Sequence, residues 1–144
     1  MRIYLDNCCF NRPFDDQRQV KIKLESEAKL FVQARIAEHQ IHLVWSYILD
    51  YENDFNPFKE RRDSIRKWKK YAVVDIEETG WIIKKARTIT NLGVKSKDSL
   101  HVACAVASKC DYFLTTDVRL INKLKNFQEL AVINPLSFIS ILEE

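Results

Sequence analysis

Four acidic residues stand at positions where a chain of alternating strands and helices could bring their side chains to one place. They are Asp6, Glu52, Asp98 and Asp117. Asp6 closes the apolar run Ile3–Leu5, and Asp117 follows the run Tyr112–Thr116. Asp98 opens the most apolar helix predicted in the chain. In open α/β sheets, ligands bind at the carboxyl ends of the strands. Acids at strand ends and helix starts are therefore poorly placed for core packing and well placed to bind a metal ion.

Clustered carboxylates of this kind suit Mg²⁺ or Mn²⁺, because both ions prefer oxygen ligands and retain several waters. A bound metal lowers the pKa of its water into the range of a nucleophile, and two metals about 4 Å apart stabilise the attacking and leaving oxygens of a phosphodiester. Without a metal, clustered carboxylates repel one another and some take up protons. Thr115 and Thr116 supply hydroxyls that could orient Asp117 or hold a metal-bound water. The pattern predicts a metal-dependent nuclease.

Three of these acids also have simpler structural interpretations. Asp6 could cap a turn, Asp98 could gain from the helix dipole in a first turn, and Asp117 could be only an N-cap. His101 lies three residues after Asp98, on the same side of the predicted helix. A single histidine in this setting is expected to support the site by hydrogen bonding rather than to ligate a metal.

The fourth acid, Glu52, lies in a helix predicted to begin after the N-cap candidate Ser46. Helical spacing places Glu52 on one face with Ile48 and Phe55. An acid on an apolar face is unusual for a solvated side chain. Asp50 falls on the opposite, wetted side, so Glu52 is preferred over Asp50 as the ligand.

The composition limits the classes of protein to which the chain can belong. Its 144 residues suit one domain, predicted to span residues 1–144. Gly80 and Gly93 are the only glycines, so neither a P-loop nor a dinucleotide-binding loop can be built. The four cysteines form no C-x-x-C pair and are interpreted as reduced packing residues. The start of the chain has no signal-peptide pattern and no apolar run approaches the ~18 residues of a membrane span, which predicts a cytoplasmic protein.

The net charge of +3 is mild, but it is unevenly distributed along the chain. The segment Lys59–Lys70 carries seven basic and two acidic residues, a net charge of +5. A basic segment on a chain with clustered carboxylates fits a polyanionic substrate, and a solvated helix face is the alternative. Trp68 is predicted to stack on a base. The predicted RNA-contacting residues are Lys59, Arg61, Arg62, Arg66 and Lys67.

The hydrophobic pattern predicts strands that alternate with helices. Predicted strands cover residues 2–6, 41–45, 72–75, 112–115 and 131–133. Predicted helices cover residues 18–39, 46–53, 58–70, 77–91, 96–109 and 118–126, with a last helix after Pro135. The buried stripe of the first long helix is predicted at Ile22, Ala28, Leu30, Phe31, Val32 and Ile36. This alternation implies right-handed crossovers and a mainly parallel sheet with helices on both faces, and it leaves the strand order open.

At these residues the chain resembles the PIN-domain family. The resemblance covers nearly the whole chain and rests on the segments Ile3–Asn7, Ser46–Glu52, Lys97–Ala103 and Leu114–Asp117. A further segment, Cys9–Gln17, is similar to one subgroup of prokaryotic members.

The resemblance implies a three-layer α/β/α fold whose parallel sheet has the strand order 3-2-1-4-5. It also implies ribonuclease chemistry that depends on Mg²⁺ or Mn²⁺. The metal ligands that it implies are Asp6, Glu52, Asp98 and Asp117, of which the last varies in role across the family. Its implied supporting residues near the metal are Asn7, Thr115 and Thr116. Many small members are toxins of the VapC type, so an RNA substrate, a cognate antitoxin and a homodimer are expected.

Two other functions fit parts of the sequence. A PIN-like scaffold could bind a protein or RNA without chemistry, although clustered carboxylates have no purpose in such a scaffold. A phosphatase or phospho-acceptor domain could use Asp6 as its nucleophile. The common aspartyl phosphatases need Asp-x-Asp, however, and position 8 here is Cys8.

Overall fold

The computed structural model describes residues 1–143, and its centre is a five-stranded sheet in which every neighbouring pair is parallel. The strands are β1 (Arg2–Leu5), β2 (His42–Ser46), β3 (Ala72–Ile76), β4 (Tyr112–Leu114) and β5 (Ala131–Ile133). Their order in the sheet is β3-β2-β1-β4-β5. The α/β fold and the strand order 3-2-1-4-5 implied by the resemblance are therefore confirmed.

Helices flank the sheet and connect its strands. They are α1 (Asn7–Asn11), α2 (Val20–Ala37), α3 (Tyr47–Asp54), α4 (Lys59–Arg66), α5 (Gly80–Thr90), α6 (Ser96–Ala107), α7 (Val118–Lys123) and α8 (Pro135–Leu142). Several helix ends differ from the predicted ones by a few residues, and two of these differences have clear reasons. The helix predicted from residue 77 begins only at Gly80, because the Thr79 side chain caps it by accepting from the Ile82 amide. The basic helix predicted over 58–70 ends at Arg66 and continues as the 3₁₀ segment Lys67–Tyr71.

The central strands bury both of their faces, as expected for a parallel sheet. Ile3, Tyr4 and Leu5 of β1 are fully buried, as are Trp45 of β2 and Phe113 of β4. The α6 helix was predicted to be the most apolar in the chain, and its residues from His101 to Ala105 are fully buried.

The register of β1 and β4 determines where the candidate acids lie. Leu5 pairs with Leu114, and the amide of the next residue, Asp6, donates to the Leu114 carbonyl at 2.9 Å. Parallel strands end at the same edge of a sheet. Asp6 and the segment Thr115–Asp117 therefore lie side by side at the carboxyl edge.

Within residues 1–143, no helix combines the length and the apolar character needed to cross a membrane.

Candidate metal centre

Asp6 is held rigidly at the end of β1 and is almost entirely buried. Its side chain caps α1, with Oδ1 accepting a hydrogen bond from the Asn7 amide at 2.8 Å. Its Oδ2 accepts from the Thr115 hydroxyl, also at 2.8 Å. Burial raises the pKa of Asp6 well above its usual value, and His101 and Thr115 only partly offset this effect. The sequence thus places a constrained carboxylate where its charged form is costly unless a cation is near.

Glu52 reaches the same place from α3. Its Oε1 contacts His101 Nε2, and its Oε2 accepts from the side-chain nitrogen Nδ2 of Asn7 at 3.5 Å. Burial acts to raise the pKa of Glu52, but the hydrogen bond to His101 and the charge of that ring outweigh it, so the pKa is lowered. The buried Oδ1 of Asn7 has no hydrogen-bond partner among the described residues. Asn7 contacts both carboxylates through its nitrogens, and its unsatisfied oxygen is a candidate further donor for a metal ion.

A chain of hydrogen bonds holds His101 from behind. His101 is fully buried, and its Nδ1 lies 2.5 Å from the Tyr4 hydroxyl. That hydroxyl lies 2.6 Å from Ser46 Oγ, which in turn accepts from the Leu49 amide and caps α3 as predicted. The start of α3 is thereby linked to the Glu52 carboxylate that the same helix carries. Tyr4 was not singled out in the sequence, although a tyrosine in an aliphatic central strand is the signal that could have identified it.

Three side chains meet closely enough to bind one ion. Asp6, Glu52 and His101 each offer a ligand atom, and these atoms lie within 4.8 Å of one another. The sequence predicted His101 as a supporting residue, and its Nε2 indeed contacts Glu52 while lying inside the cluster. The carboxylate oxygens and the free oxygen of Asn7 form a donor set that suits Mg²⁺ or Mn²⁺.

Asp98 and Asp117 lie beside this cluster and are not members of it. Both line a cavity of about 50 Å³ that also includes the basic residues Lys95 and Arg119. Burial raises the pKa of Asp98, His101 lowers it, and the charges of Asp117 and Glu52 raise it further. The acids therefore share one electrostatic environment, although Asp98 and Asp117 are separated from the closest group.

Thr115 connects the acids at the ends of the two strands. Its hydroxyl donates to Asp6 and accepts from the Asp117 amide at 3.1 Å. Asp117 caps α7, because its Oδ1 accepts from the amides of Arg119 at 3.0 Å and Leu120 at 3.3 Å. The capping interpretation of Asp117 therefore describes its contacts, while its second carboxylate oxygen is not used by the cap.

Cys8 is a member of this environment that the sequence interpretation missed. All four cysteines are free, but Cys8 is half-buried and its Sγ lies 3.4 Å from both Asp6 Oδ2 and Thr115 Oγ1. Thr116 meets the same sulfur, donating its amide at 3.4 Å. Hydrogen bonding, chiefly with Cys9 and then with the threonines, outweighs burial and lowers the pKa of Cys8 to about 6. Cys8 is thus more than a packing residue, and its closeness in sequence to Asp6 was the available signal.

The competing acid on α3 has a different set of contacts. Asp50 accepts from Trp45 Nε1 at 3.0 Å and from Lys69 Nζ at 2.9 Å, away from the acidic cluster. Phe55 lines one groove with Glu52, as the helical spacing suggested, but the face that they share is not a buried one. Phe55 is 70% exposed, since α3 ends before it at Asp54.

The basic segment is more engaged in internal contacts than its composition suggests. Arg62 donates to the Asn56 carbonyl at 2.9 Å, and Arg61 donates to the Phe14 carbonyl at 2.6 Å. Trp68 is half-buried, with its ring 5.0 Å from that of Tyr71. The remaining predicted contacts lie on the surface, where Lys59 and Arg66 form ion pairs with acidic neighbours and Lys67 is exposed.

Arg61 connects the basic segment to the acidic cluster. It lines a groove of about 280 Å³ that also includes Asn7 and Glu52. Two exposed aromatic rings, Phe55 and Phe58, line the same groove, and the Arg61 guanidinium lies 4.5 Å from the centre of the Phe58 ring. The groove therefore combines a cation, two aromatic faces and a carboxylate of the candidate metal centre.

Comparison with known proteins supports the fold. No protein-family model matches the chain, and no curated protein sequence is similar to it. The fold is similar to 14 chains of solved structures. One lies in the crystal structure of VapBC2 from Rickettsia felis bound to a DNA fragment from their promoter, with 14% identity, a TM-score of 0.57 and coverage of 93% of this chain and 98% of that chain. At this identity the likeness establishes a shared fold, a five-stranded parallel sheet flanked by helices as expected of a PIN-like protein.

Proposed function

We propose that the protein is a metal-dependent endoribonuclease that hydrolyses RNA phosphodiester bonds with Mg²⁺ or Mn²⁺. The observation that carries this proposal is the convergence of Asp6, Glu52 and His101 at the carboxyl edge of the sheet, with Asp98 and Asp117 beside them. Asp6 is buried and the other three acids are half-buried, and carboxylates gathered in this way are costly unless cations compensate for them. The similarity of the fold to a chain of the VapBC2 complex is consistent with the PIN-domain resemblance, which implies this chemistry.

The oxygen donors of the site would hold the ion. Asp6 and Glu52 are the first candidates, Asn7 Oδ1 is an available neutral donor, and Asp98 and Asp117 complete the acidic set. A bound divalent ion would supply a water of lowered pKa and would stabilise charge on the phosphate. These assignments are part of the proposal.

The chain's own residues would orient the ligands and the substrate. Thr115 fixes the direction of the Asp6 carboxylate, and His101 does the same for Glu52. In the groove, Arg61 would contact a phosphate, and the rings of Phe55 and Phe58 would stack on unpaired bases. The exposed cations Lys59, Arg66 and Lys67 remain predicted phosphate contacts, whereas the contacts of Trp68 within the fold favour Phe55 as the stacking residue.

Removing the Phe55 ring should weaken RNA binding without affecting the fold. Phe55→Ala is expected to lower the affinity for single-stranded RNA about tenfold, because a base stacked on an aromatic ring contributes roughly 1–3 kcal/mol. Fluorescence anisotropy with a labelled oligonucleotide measures the effect. Trp81→Ala is the matched control, since Trp81 is also exposed but lines a different cavity beside Ile76. Equal affinity of Phe55→Ala and wild type would remove the groove from the RNA-binding surface.

The hydrogen-bond chain behind the site should contribute to metal affinity. Tyr4→Phe removes the hydroxyl between His101 and Ser46 but keeps the ring, which stacks on Phe113 at a centroid distance of 5.1 Å. We expect Mn²⁺ affinity to fall about tenfold, as for other residues that orient metal ligands. Calorimetric titration measures the change, with Tyr112→Phe as the control on the neighbouring strand. An unchanged Mn²⁺ affinity would mean that the hydrogen bonds behind the site contribute only to packing.

Cleavage of a mixed RNA pool by the purified protein tests the proposed activity. The assay uses Mn²⁺ or Mg²⁺, beside EDTA and the Asp98→Asn variant. Cleavage by wild type that is lost in both controls is the expected result. Metal binding without cleavage would contradict a general ribonuclease and indicate DNA or one selected RNA as substrate. If neither metal binding nor cleavage occurs, the catalytically silent scaffold becomes the better account.

We also propose that the chain has an antitoxin partner and forms a homodimer. The support for a partner is the VapBC2 neighbour, which is a complex with DNA in its solved structure. The support for a homodimer is the exposed ring of Trp81, which is 51% exposed, whereas Trp68 is half-buried and less suited to a dimer surface. Light scattering of the chain alone, and after co-expression with the protein encoded by the adjacent gene, distinguishes monomer, dimer and hetero-complex.

A further inference from the structure

The α2 helix buries a lysine that has no partner. Lys29 is only 4% exposed, and its Nζ lies 5.4 Å from the centre of the Phe10 ring. Within residues 1–143 its ammonium makes no hydrogen bond or ion pair, and burial lowers its pKa to about 7. One turn earlier, Glu25 could have paired with it, but that carboxylate accepts from Arg12 at 3.0 Å and from Asn134 at 2.6 Å. The fold therefore leaves a buried cation without a counter-charge.

A second unsatisfied donor lies one turn further along the same face. Gln33 is 4% exposed, and its Nε2 has no hydrogen-bond partner in the part of the chain that the structure describes. Residues four apart on a helix are neighbours. Lys29 and Gln33 both line a cavity of about 90 Å³ between α2 and the basic segment. A buried amide without an acceptor, next to an ammonium that has no hydrogen bond or ion pair among the described residues, is costly, and this distinguishes the cavity from an ordinary packing defect.

The walls of the cavity are mainly apolar. Its lining residues besides Lys29 and Gln33 include Phe10, Phe14, Leu30, Ile65 and Trp68. The Lys29 ammonium and the Gln33 amide can satisfy one carboxylate group, and the hydroxyl of Ser64, which also lines the cavity, can donate one further hydrogen bond. A phosphate, with more charge and more acceptor oxygens, would be left partly unsatisfied against such walls.

We propose that this cavity binds a short-chain organic carboxylate, with Lys29 and Gln33 donating to its oxygens and the aromatic rings packing on its apolar body. The proposal does not depend on the nuclease activity. It has a structural link to it, however, because Phe10 belongs to α1, which begins at Asn7 beside Glu52. An occupant that contacts Phe10 would touch the helix that carries a residue of the candidate metal centre.

Titration of the full chain with acetate, propionate and benzoate at constant ionic strength tests this site. We expect a saturable rise in the midpoint of thermal unfolding and a saturable change in tryptophan fluorescence, recorded in a Trp81→Phe background that retains the fully buried Trp45 and the cavity-lining Trp68. Lys29→Met should weaken binding about tenfold or more, since a charge-assisted hydrogen bond is lost. Lys23→Met changes an exposed lysine of the same helix and should bind as wild type does.

Several results would overturn the proposal. They are a lack of saturable response, equal binding of uncharged propionamide, equal or tighter binding of inorganic phosphate, and unchanged affinity in Lys29→Met. If Lys29→Met does not fold, Gln33→Leu provides an independent test, because loss of its amide should weaken propionate binding several-fold. Unchanged binding by a folded Gln33→Leu would equally contradict the site.

Discussion

The Asp6→Asn variant is expected to lose metal-dependent RNA cleavage by more than about 100-fold, since even residues that only orient metal ligands contribute about 10–100-fold. Asp6 is the most constrained acid of the site, because Oδ1 accepts from the Asn7 amide and Oδ2 accepts from the Thr115 hydroxyl and the Cys8 thiol. The substitution is isosteric and retains one oxygen, so it removes the charge without opening a cavity. Cleavage of the RNA pool under single-turnover conditions measures the loss.

The same variant should be more stable than wild type when no metal is present. Because burial raises the pKa of Asp6 in the folded state, stability falls as the pH rises from the usual aspartate value through the folded value. Above the usual aspartate pKa the metal-free wild type therefore bears a cost, either of burying the charge or of taking up a proton, and Asp6→Asn removes that cost. Thermal unfolding with and without Mn²⁺ should show stabilisation of wild type by the metal. Without metal, the Asp6→Asn variant should have the higher unfolding midpoint, and Mn²⁺ should not raise that midpoint further.

A structural role of Asp6 alone predicts the opposite pattern. If Asp6 only caps α1, Asp6→Asn should leave the response to Mn²⁺ intact and change stability slightly. A variant that is still stabilised by Mn²⁺ as strongly as wild type would contradict the assignment of Asp6 as a ligand.

The second large effect should distinguish Glu52 from Asp50, the two acids of α3 that were considered as the metal ligand. Glu52→Gln is expected to weaken Mn²⁺ binding at least about tenfold and to reduce cleavage in proportion. Asp50→Asn is the matched control, two residues away on the same helix. It should bind Mn²⁺ as wild type does and lose about 1 kcal/mol of stability or less, because Asp50 pairs with Lys69 near the surface. Calorimetric titration and denaturant unfolding measure both quantities.

The opposite pattern of Mn²⁺ binding in these two variants would contradict the choice of Glu52 as the ligand. Weakened Mn²⁺ binding in Asp50→Asn together with normal binding in Glu52→Gln would place the ligand on the other side of α3. The contacts of Asp50 with Trp45 and Lys69 would then have to rearrange on metal binding.

Much of the fold follows from local patterns, and the exceptions have physical causes. The strands and the Ser46 cap were predicted because apolar runs and capping residues are local signals. The five-residue helix α1 is too short to produce a periodic signal. The buried stripe of α2 was partly wrong, since Leu30 is 50% and Phe31 39% exposed while Lys29 is buried. Hydrophobicity ranks residues by type, and it cannot anticipate a cavity that only tertiary packing creates.

The candidate site was predicted in its residue types but not in its connections. Strand ends and helix starts identified Asp6 and Asp117, because parallel strands end at one edge. The contacts of His101 with Tyr4, 97 residues away, and with Glu52, 49 residues away, arise only when three elements pack. Such long-range hydrogen bonds produce no recognisable spacing pattern in the sequence. The same is true of the hydrogen bonds by which Thr115 joins the two strand ends.

The most direct test of the central claim is anomalous diffraction from a crystal of the protein soaked in Mn²⁺. The account predicts an anomalous peak bonded to Asp6 and Glu52, about 2.2 Å from their oxygens, with Asp98 or Asp117 reaching it directly or through water. Asp6→Asn crystals should lack the peak. A Mn²⁺ peak at other acids, or no peak at a concentration that saturates binding in solution, would contradict a metal-dependent nuclease built on this site.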